Sequence, residues 1–418
     1  MNTNTAKPVL LEKKYLFAFI LLSSCFMWWG IANNITDPLV RVFKAIFGEL
    51  STFQASLIQF AFYFGYFCMA LPGAAISRKF SYKTGVLVGL GLYAFGCFLL
   101  YPSTLTQKFI FFCLSYYILA SGLSILETNA NPYILALGPR QTATRRLNFA
   151  QSFNPIGSVI GILMAQILIM AKMPLDEAGN IHIAEHQISD TLAIVIFPYL
   201  SIAAILVGVW VLIAMTKMPS VSDDSHHIHL FRTFKDLFKK PNYTFAVIAQ
   251  FFYVGAQITV WTYTNFYIPE HLQVTPEVAL RYHTGALVLF GASRWVFTAL
   301  MKKYKVQTLL FFASAMAILL SLSVIFIGGM AGVISLIGIS AFMSLMFPTI
   351  FGMGSEGLTD AEIKVGSSGL IMAILGGAII TPLQGALIDL IGVSYSYFLP
   401  MISFIVIGAF AFYRIRQK

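Results

Sequence analysis

The sequence predicts an all-α integral membrane protein of twelve transmembrane helices, arranged as two pseudo-symmetric six-helix halves. Three observations predict it. Of the 418 residues, 58% are hydrophobic and 11% charged, against roughly 25% charged in a soluble domain, and no globular core uses that much apolar surface. Apolar runs recur at lengths near the ~20 helical residues that cross a bilayer core, without the alternation of a barrel strand. The basic residues that give a net charge of +10 cluster in alternate loops.

Lipid offers the backbone no hydrogen-bond partners, so each run must be a helix. In the first half the runs cover residues 15–37, 53–76, 84–101, 108–137, 146–170 and 191–215. In the second they cover 243–268, 283–301, 307–327, 330–352, 365–388 and 393–413. The basic-then-apolar start resembles a signal peptide. No small-residue cleavage site leads into a soluble domain, so it reads as an uncleaved first span. Cys25, Cys68, Cys97 and Cys113 sit inside apolar runs with no metal or disulfide spacing, and act as small hydrophobes. With both termini in the cytoplasm, the inner segments hold 21 of the 27 Lys and Arg, the outer loops five, and a span the last, Arg294. That bias sets the expected orientation. It also explains the positive charge without nucleic acid, since no basic face carries base-reading residues.

A first bundle is expected over residues 1–216, a cytoplasmic linker over 217–240 and a second bundle over 241–418. The linker holds "SDDSHHIH", a solvated stretch rather than a metal site, because nothing nearby completes one. It continues as "LFRTFKDLFKK", whose Leu230, Phe231, Phe234, Leu237 and Phe238 share one face. That pattern predicts an amphipathic helix on the membrane surface. The halves echo each other: "GAAISRKFSYKTG" follows the second span and "GASRWVFTALMKKYK" ends the eighth, while Pro132 and Pro348 fall late in the fourth and tenth. Parallel six-helix repeats of this kind characterise secondary transporters, with the binding site between the halves.

Embedded charge costs about 2.5–3.5 kcal/mol on insertion scales, so it marks function by default. Four such residues stand out: Asp37, Glu127, Arg294 and Asp389. Asp389 closes a span and reads as interfacial. Arg294 is either a gate or a packing partner. Glu127 opens "ETNANP", about 16 Å from the inner end of its helix by residue count. Asn131 follows four residues later on the same face, and Pro132 removes a backbone bond and is expected to bend the helix. In "RRLNFAQSFNPIG", Asn148, Gln151, Asn154 and Ser158 form one polar stripe at helical spacing. Asn154 sits at about 14 Å, near the depth of Glu127. Such a stripe either lines a polar pocket or glues helices. In "WWGIANNITDPL", Trp29, Asn33 and Asp37 step by four and Asn34 joins them. Asp37 lies about 33 Å up its helix and is either an outer proton acceptor or a loop residue before Pro38. Tyr253, Gln257 and Trp261 form the matching stripe in the second half. Aromatic faces and amides suit sugars, whose ring faces stack and whose hydroxyls hydrogen-bond.

No His-Glu metal pair, Ser-His arrangement or phosphate loop points to an enzyme, and no residues call for a cofactor or metal. No repeated filter segment points to a channel. The amides of the fifth span argue against an exporter with an aromatic, Met-lined cavity.

"WGIANNITD", "FQASLIQFAFYFGYF", "LETNANPYILALGP", "RLNFAQSFN", "YVGAQITVW" and "AFMSLMFPTIF" together resemble the L-fucose:proton symporter family of the major facilitator superfamily, in order and spacing over nearly the whole chain. The resemblance implies that superfamily's fold, a sugar and a proton as the cargo, a plasma-membrane location and Asp37 and Glu127 as the proton-handling acids. It implies sugar contacts at Trp29, Asn34, Gln151 and Asn154; helical register adds Asn131, Gln257 and Trp261. The expected working unit is a monomer in the lipid bilayer. Three positions depart from the family pattern. Ser77 stands at the usual Asp of the loop after the second span, Asn34-Ile35-Thr36-Asp37 replaces Asn-Leu-Asn-Asp, and Met346-Phe347 replaces Gln-Tyr. The same family includes glucose and galactose carriers, coupled to H⁺ or Na⁺.

Overall fold

A computed structural model describes residues 9–36, 39–48, 52–174, 183–219 and 230–417. Asp37 and the His-rich linker lie outside the described residues. In chain order the α-helices are α1 Leu16–Thr36, α2 Leu39–Ile46, α3 Thr52–Lys79, α4 Tyr82–Thr106, α5 Phe109–Ala136, α6 Ala143–Gln151, α7 Phe153–Met164, α8 Ile188–Met215 and α9 Leu230–Leu237. They continue as α10 Pro241–Leu272, α11 Pro276–Leu300, α12 Val306–Phe326, α13 Gly329–Met343, α14 Met346–Gly354, α15 Asp360–Met372, α16 Leu375–Ile391, α17 Val393–Ser396 and α18 Phe398–Arg416. Among the described residues, eleven helical stretches are long and apolar enough to cross a membrane. The remaining span is α11, which is long enough at 25 residues but carries Arg281, His283 and Arg294 along its length.

The apolar runs mark the spans, and the helices outrun them. α10 is 32 residues, because helix continues past the apolar stretch at both ends. Four expected spans are each divided between two α-helices, the twelfth only at its start, where the four-residue α17 precedes α18. The fifth breaks between α6 and α7 at Ser152, the tenth between α13 and α14, and the eleventh between α15 and α16. Proline accounts for the first two. It has no N–H for the carbonyl four residues back, so Pro155 strands the Gln151 carbonyl and Pro348 that of Ser344. Proline alone does not decide, since α5 runs unbroken through Pro132. The short α2 is not foreshadowed by any apolar span; it buries Val42, Phe43 and Ile46, with the Phe43 ring 5.0 Å from Phe112.

The chain forms two compact units. The first comprises Met1–Ser24, Ala130–Phe153 and Met218–Lys418; the second, Cys25–Asn129 and Asn154–Lys217.

In the second unit glycines let helices meet backbone to backbone, as membrane packing without a hydrophobic drive requires. A Cβ on Gly89 of α4 would lie 2.5 Å from the Leu126 nitrogen of α5, and one on Gly157 of α7 only 1.9 Å from the Met27 carbonyl oxygen of α1. α4 is tied to the end of α8 by Lys83, whose Nζ donates to the Ala214 and Thr216 carbonyls at 2.8 and 2.9 Å. Ser77 is buried and donates to the Ala74 carbonyl of its own helix.

In the first unit α10 packs against α13, α14, α16 and α18. Arg146 is fully buried and caps the end of α5. It donates to the carbonyls of Ile134 (2.7 Å), Leu135 and Gly138 (3.2 Å), and also to that of Leu10 (3.1 Å) near the chain start. Those carbonyls are among the ones a helix end leaves without partners. The amphipathic α9 does not simply lie flat with its apolar face free. Leu237 is buried, Phe234 reaches Gly369 of α15 and the Phe238 ring is 5.5 Å from Tyr243, while Phe231 stays 75% exposed. The apolar face is wide enough to be shared between neighbouring helices and the outside.

Candidate functional site

In the second unit the glycine contact between α1 and α7 brings Trp29 and Asn34 onto the same packed pair as Asn154. Asn154 Nδ2 donates to the Phe26 carbonyl at 3.3 Å, and Asn34 Nδ2 to the Gly30 carbonyl of its own helix at 2.9 Å. Trp29 Nε1 donates to the hydroxyl of Tyr66 on α3. Tyr66 is 1% exposed and near enough to the Glu127 carboxyl to feel its charge. Its own carbonyl accepts from Ser124 Oγ of α5 at 2.7 Å. Glu127 is 5% exposed, in the middle of the 28-residue α5 and flanked by the close α4 contact. The Tyr66 hydroxyl thus meets the indole of Trp29, on a helix that α5 contacts through Ser124. Reading the sequence missed Tyr66, because a tyrosine in "FAFYFGYF" looks like one more core aromatic; only its two neighbours distinguish it.

In the first unit the polar stripe splits between two jobs. Gln151 Nε2 donates to Asn131 Oδ1 at 2.8 Å, joining α6 to α5. Asn148 Nδ2 donates to Thr349 Oγ1 of α14 at 3.1 Å and to the Thr144 carbonyl at 3.0 Å. Asn148 thus glues helices, whereas Gln151 keeps an amide pair with Asn131. Trp261 Nε1 donates to Ser340 Oγ at 3.2 Å, and its ring meets Phe290 edge-on at 5.0 Å. Gln257, one turn earlier, is half-buried and has no hydrogen bond among the described residues. Tyr253 is fully buried and donates to the Met343 carbonyl, so it belongs to the packing and not to an open face. Met346 is buried and Phe347 sets its ring 6.2 Å from Tyr253, an apolar wall at that level. Arg294 is 3% exposed; its Nη1 donates to the Gln151 carbonyl at 2.8 Å and its Nε to the Ser344 carbonyl. Its guanidinium lies 4.6 Å above the Phe290 ring.

The site residues named from the sequence therefore fall into two groups. Trp29, Asn34, Glu127 and Asn154 belong to the second unit, and Asn131, Gln151, Gln257 and Trp261 to the first.

A profile of the Major Facilitator Superfamily matches residues 17–374. The chain belongs to that superfamily. It is 43% identical to the L-fucose-proton symporter of Haemophilus influenzae, over 96% of this chain and 97% of that protein. It is 37% identical to the L-fucose-proton symporter of Escherichia coli, over 96% and 94%. A glucose/galactose transporter of Brucella abortus is 31% identical over 94% and 93%. Among solved structures, the superfamily transporter FucP in the outward conformation superposes with a TM-score of 0.86 at 36% identity, covering 96% of this chain and 99% of that one. The twelve-helix fold is the superfamily's, and this is a multi-pass membrane protein.

Proposed function

We infer that this protein is a secondary active symporter that moves L-fucose and a proton together by alternating access. The observation that carries it is the buried Glu127 carboxyl beside Tyr66 and Trp29, in a chain this similar, nearly end to end, to two L-fucose-proton symporters. Taking up a proton at this carboxyl is then part of loading the carrier. Asp37 receives the proton from outside and Glu127 couples it to the sugar. Trp29, Asn34, Asn154, Asn131, Gln151, Gln257 and Trp261 supply the ring faces and amides that a hexose binds. Coupling requires that loaded and empty carriers differ in the side to which they open. The membrane potential contributes about 2.3 kcal/mol per proton at 100 mV.

The protein works as a transporter and not as an enzyme, as a monomer in the inner membrane with both termini in the cytoplasm. The excess of Lys and Arg in the loops assigned to that side supports the orientation. The test is uptake into proteoliposomes. L-fucose entry is expected to acidify the lumen and to stop with a protonophore. Uptake that requires Na⁺ and ignores the protonophore overturns proton coupling. Counterflow with D-glucose and D-galactose beside L-fucose ranks the sugars, and a preference for either hexose overturns fucose as the substrate.

A further inference from the structure

Arg294 is a buried cation inside a membrane span, and no carboxylate pairs with it among the described residues. Its partners are two backbone carbonyls on different helices, Gln151 at the end of α6 and Ser344 after α13. They are the carbonyls that Pro155 and Pro348, each four residues on, leave without a helical donor. A guanidinium is a rigid planar fork of donors that stays charged. It can hold both stranded carbonyls at once, where an ammonium is a single point. Its face rests on Phe290, whose ring abuts Trp261. The residue held on the other side is Gln151, whose side chain is bonded to Asn131.

We propose that Arg294 is a positioning residue: it fixes Gln151 and Trp261 for the sugar, and its bond to the Gln151 carbonyl closes the seam between α6 and the helices α11 and α14. That bond must break whenever the seam opens, and both proline-freed carbonyls then need other donors. Arg294 therefore makes the seam-closed state more favourable while leaving open the exchange of partners that transport needs. The sugar half of this inference rests on the symport reading; the seam half does not.

The test uses the full chain with its four native cysteines replaced and one cysteine placed at Thr144. That residue is 7% exposed, and a Cβ on Gly352 of α14 would lie 2.5 Å from its Oγ1, so it sits in the seam. Two quantities are read: the rate at which a maleimide labels that cysteine, and the L-fucose dissociation constant. Arg294→Gln is expected to raise the labelling rate and weaken L-fucose binding, each about tenfold, as loss of a hydrogen bond to a charged group implies. Phe290→Leu is expected to weaken binding with labelling at the parent rate, a split that general loosening of the fold does not produce. Arg294→Lys reaches one carbonyl and should label at an intermediate rate. If Arg294→Gln labels at the parent rate, the proposal is overturned. Should that variant not fold, parent-like labelling and affinity in Arg294→Lys overturn it equally. Faster labelling in a protein whose parent form binds no L-fucose supports the seam and sinks the sugar reading instead.

Discussion

In the unit built from Cys25–Asn129 and Asn154–Lys217 the charge buried at mid-span is an acid, Glu127; in the other it is a base, Arg294. The two are surrounded differently. Around Glu127 lie side chains, Tyr66 and through it Trp29. Around Arg294 lie backbone carbonyls. On the proposed symport reading the carboxyl is the group that gains and loses a proton. A guanidinium never loses its charge, so its region responds only by changing partners. On the proposed reading, coupling then belongs to the second unit and closure to the first.

The largest effect should come from removing the acid. Glu127→Gln mimics the protonated carrier, so sugar-for-sugar counterflow is expected to persist while accumulation against a gradient is abolished. Asp37→Asn is expected to cut net uptake as well. Parent-like accumulation by Glu127→Gln removes coupling from that unit and collapses the comparison. Next come the amides, one from each unit. Asn154→Ala and Gln151→Ala should each weaken L-fucose binding by about 0.5–1.5 kcal/mol, the net worth of a hydrogen bond, with the fold intact. Calorimetric titration checks it, and parent affinity in both returns the stripe to helix glue.

Tyr66→Phe removes the hydroxyl that accepts from Trp29 but leaves the ring. A loss of about 0.5–1.5 kcal/mol in sugar affinity is expected, together with a shifted pH dependence of uptake that Gln151→Ala should not show. An unshifted profile would detach Tyr66 from Glu127. The smallest functional effect belongs to Asn148→Ala. It deletes the bond to Thr349, so the melting temperature should fall by the equivalent of roughly 1 kcal/mol while L-fucose affinity stays at the parent value. A changed affinity would put Asn148 in the site.

The spans were legible because lipid imposes length and hydropathy directly. α2 was not, since Val42, Phe43 and Ile46 bury an amphipathic face too short to register as a span. α5 continues through Pro132, the proline expected to bend its helix, whereas α6 and α13 end ahead of Pro155 and Pro348. The sequence shows which carbonyl each proline strands; it does not show whether a donor waits nearby. For Gln151 and Ser344 that donor is Arg294, 143 and 50 residues away. The amide stripe is visible as a pattern of four, but that Asn148 joins two helices depends on Thr349, which lies 201 residues from it. Asp37 was singled out and lies outside the described residues.

The makeup of the first unit also bears on how the protein is made. It unites Ala130–Phe153, synthesised early, with everything from Met218 onward. When the ribosome has finished α8, the amide of Asn148 and the stranded carbonyl of Gln151 are already in the membrane, while Thr349 and Arg294 do not yet exist. The early helices must wait, with water or each other as temporary company, until the tenth span emerges. Two fragments divided in the linker and expressed together should therefore rescue one another, and the early fragment alone should be the more readily degraded.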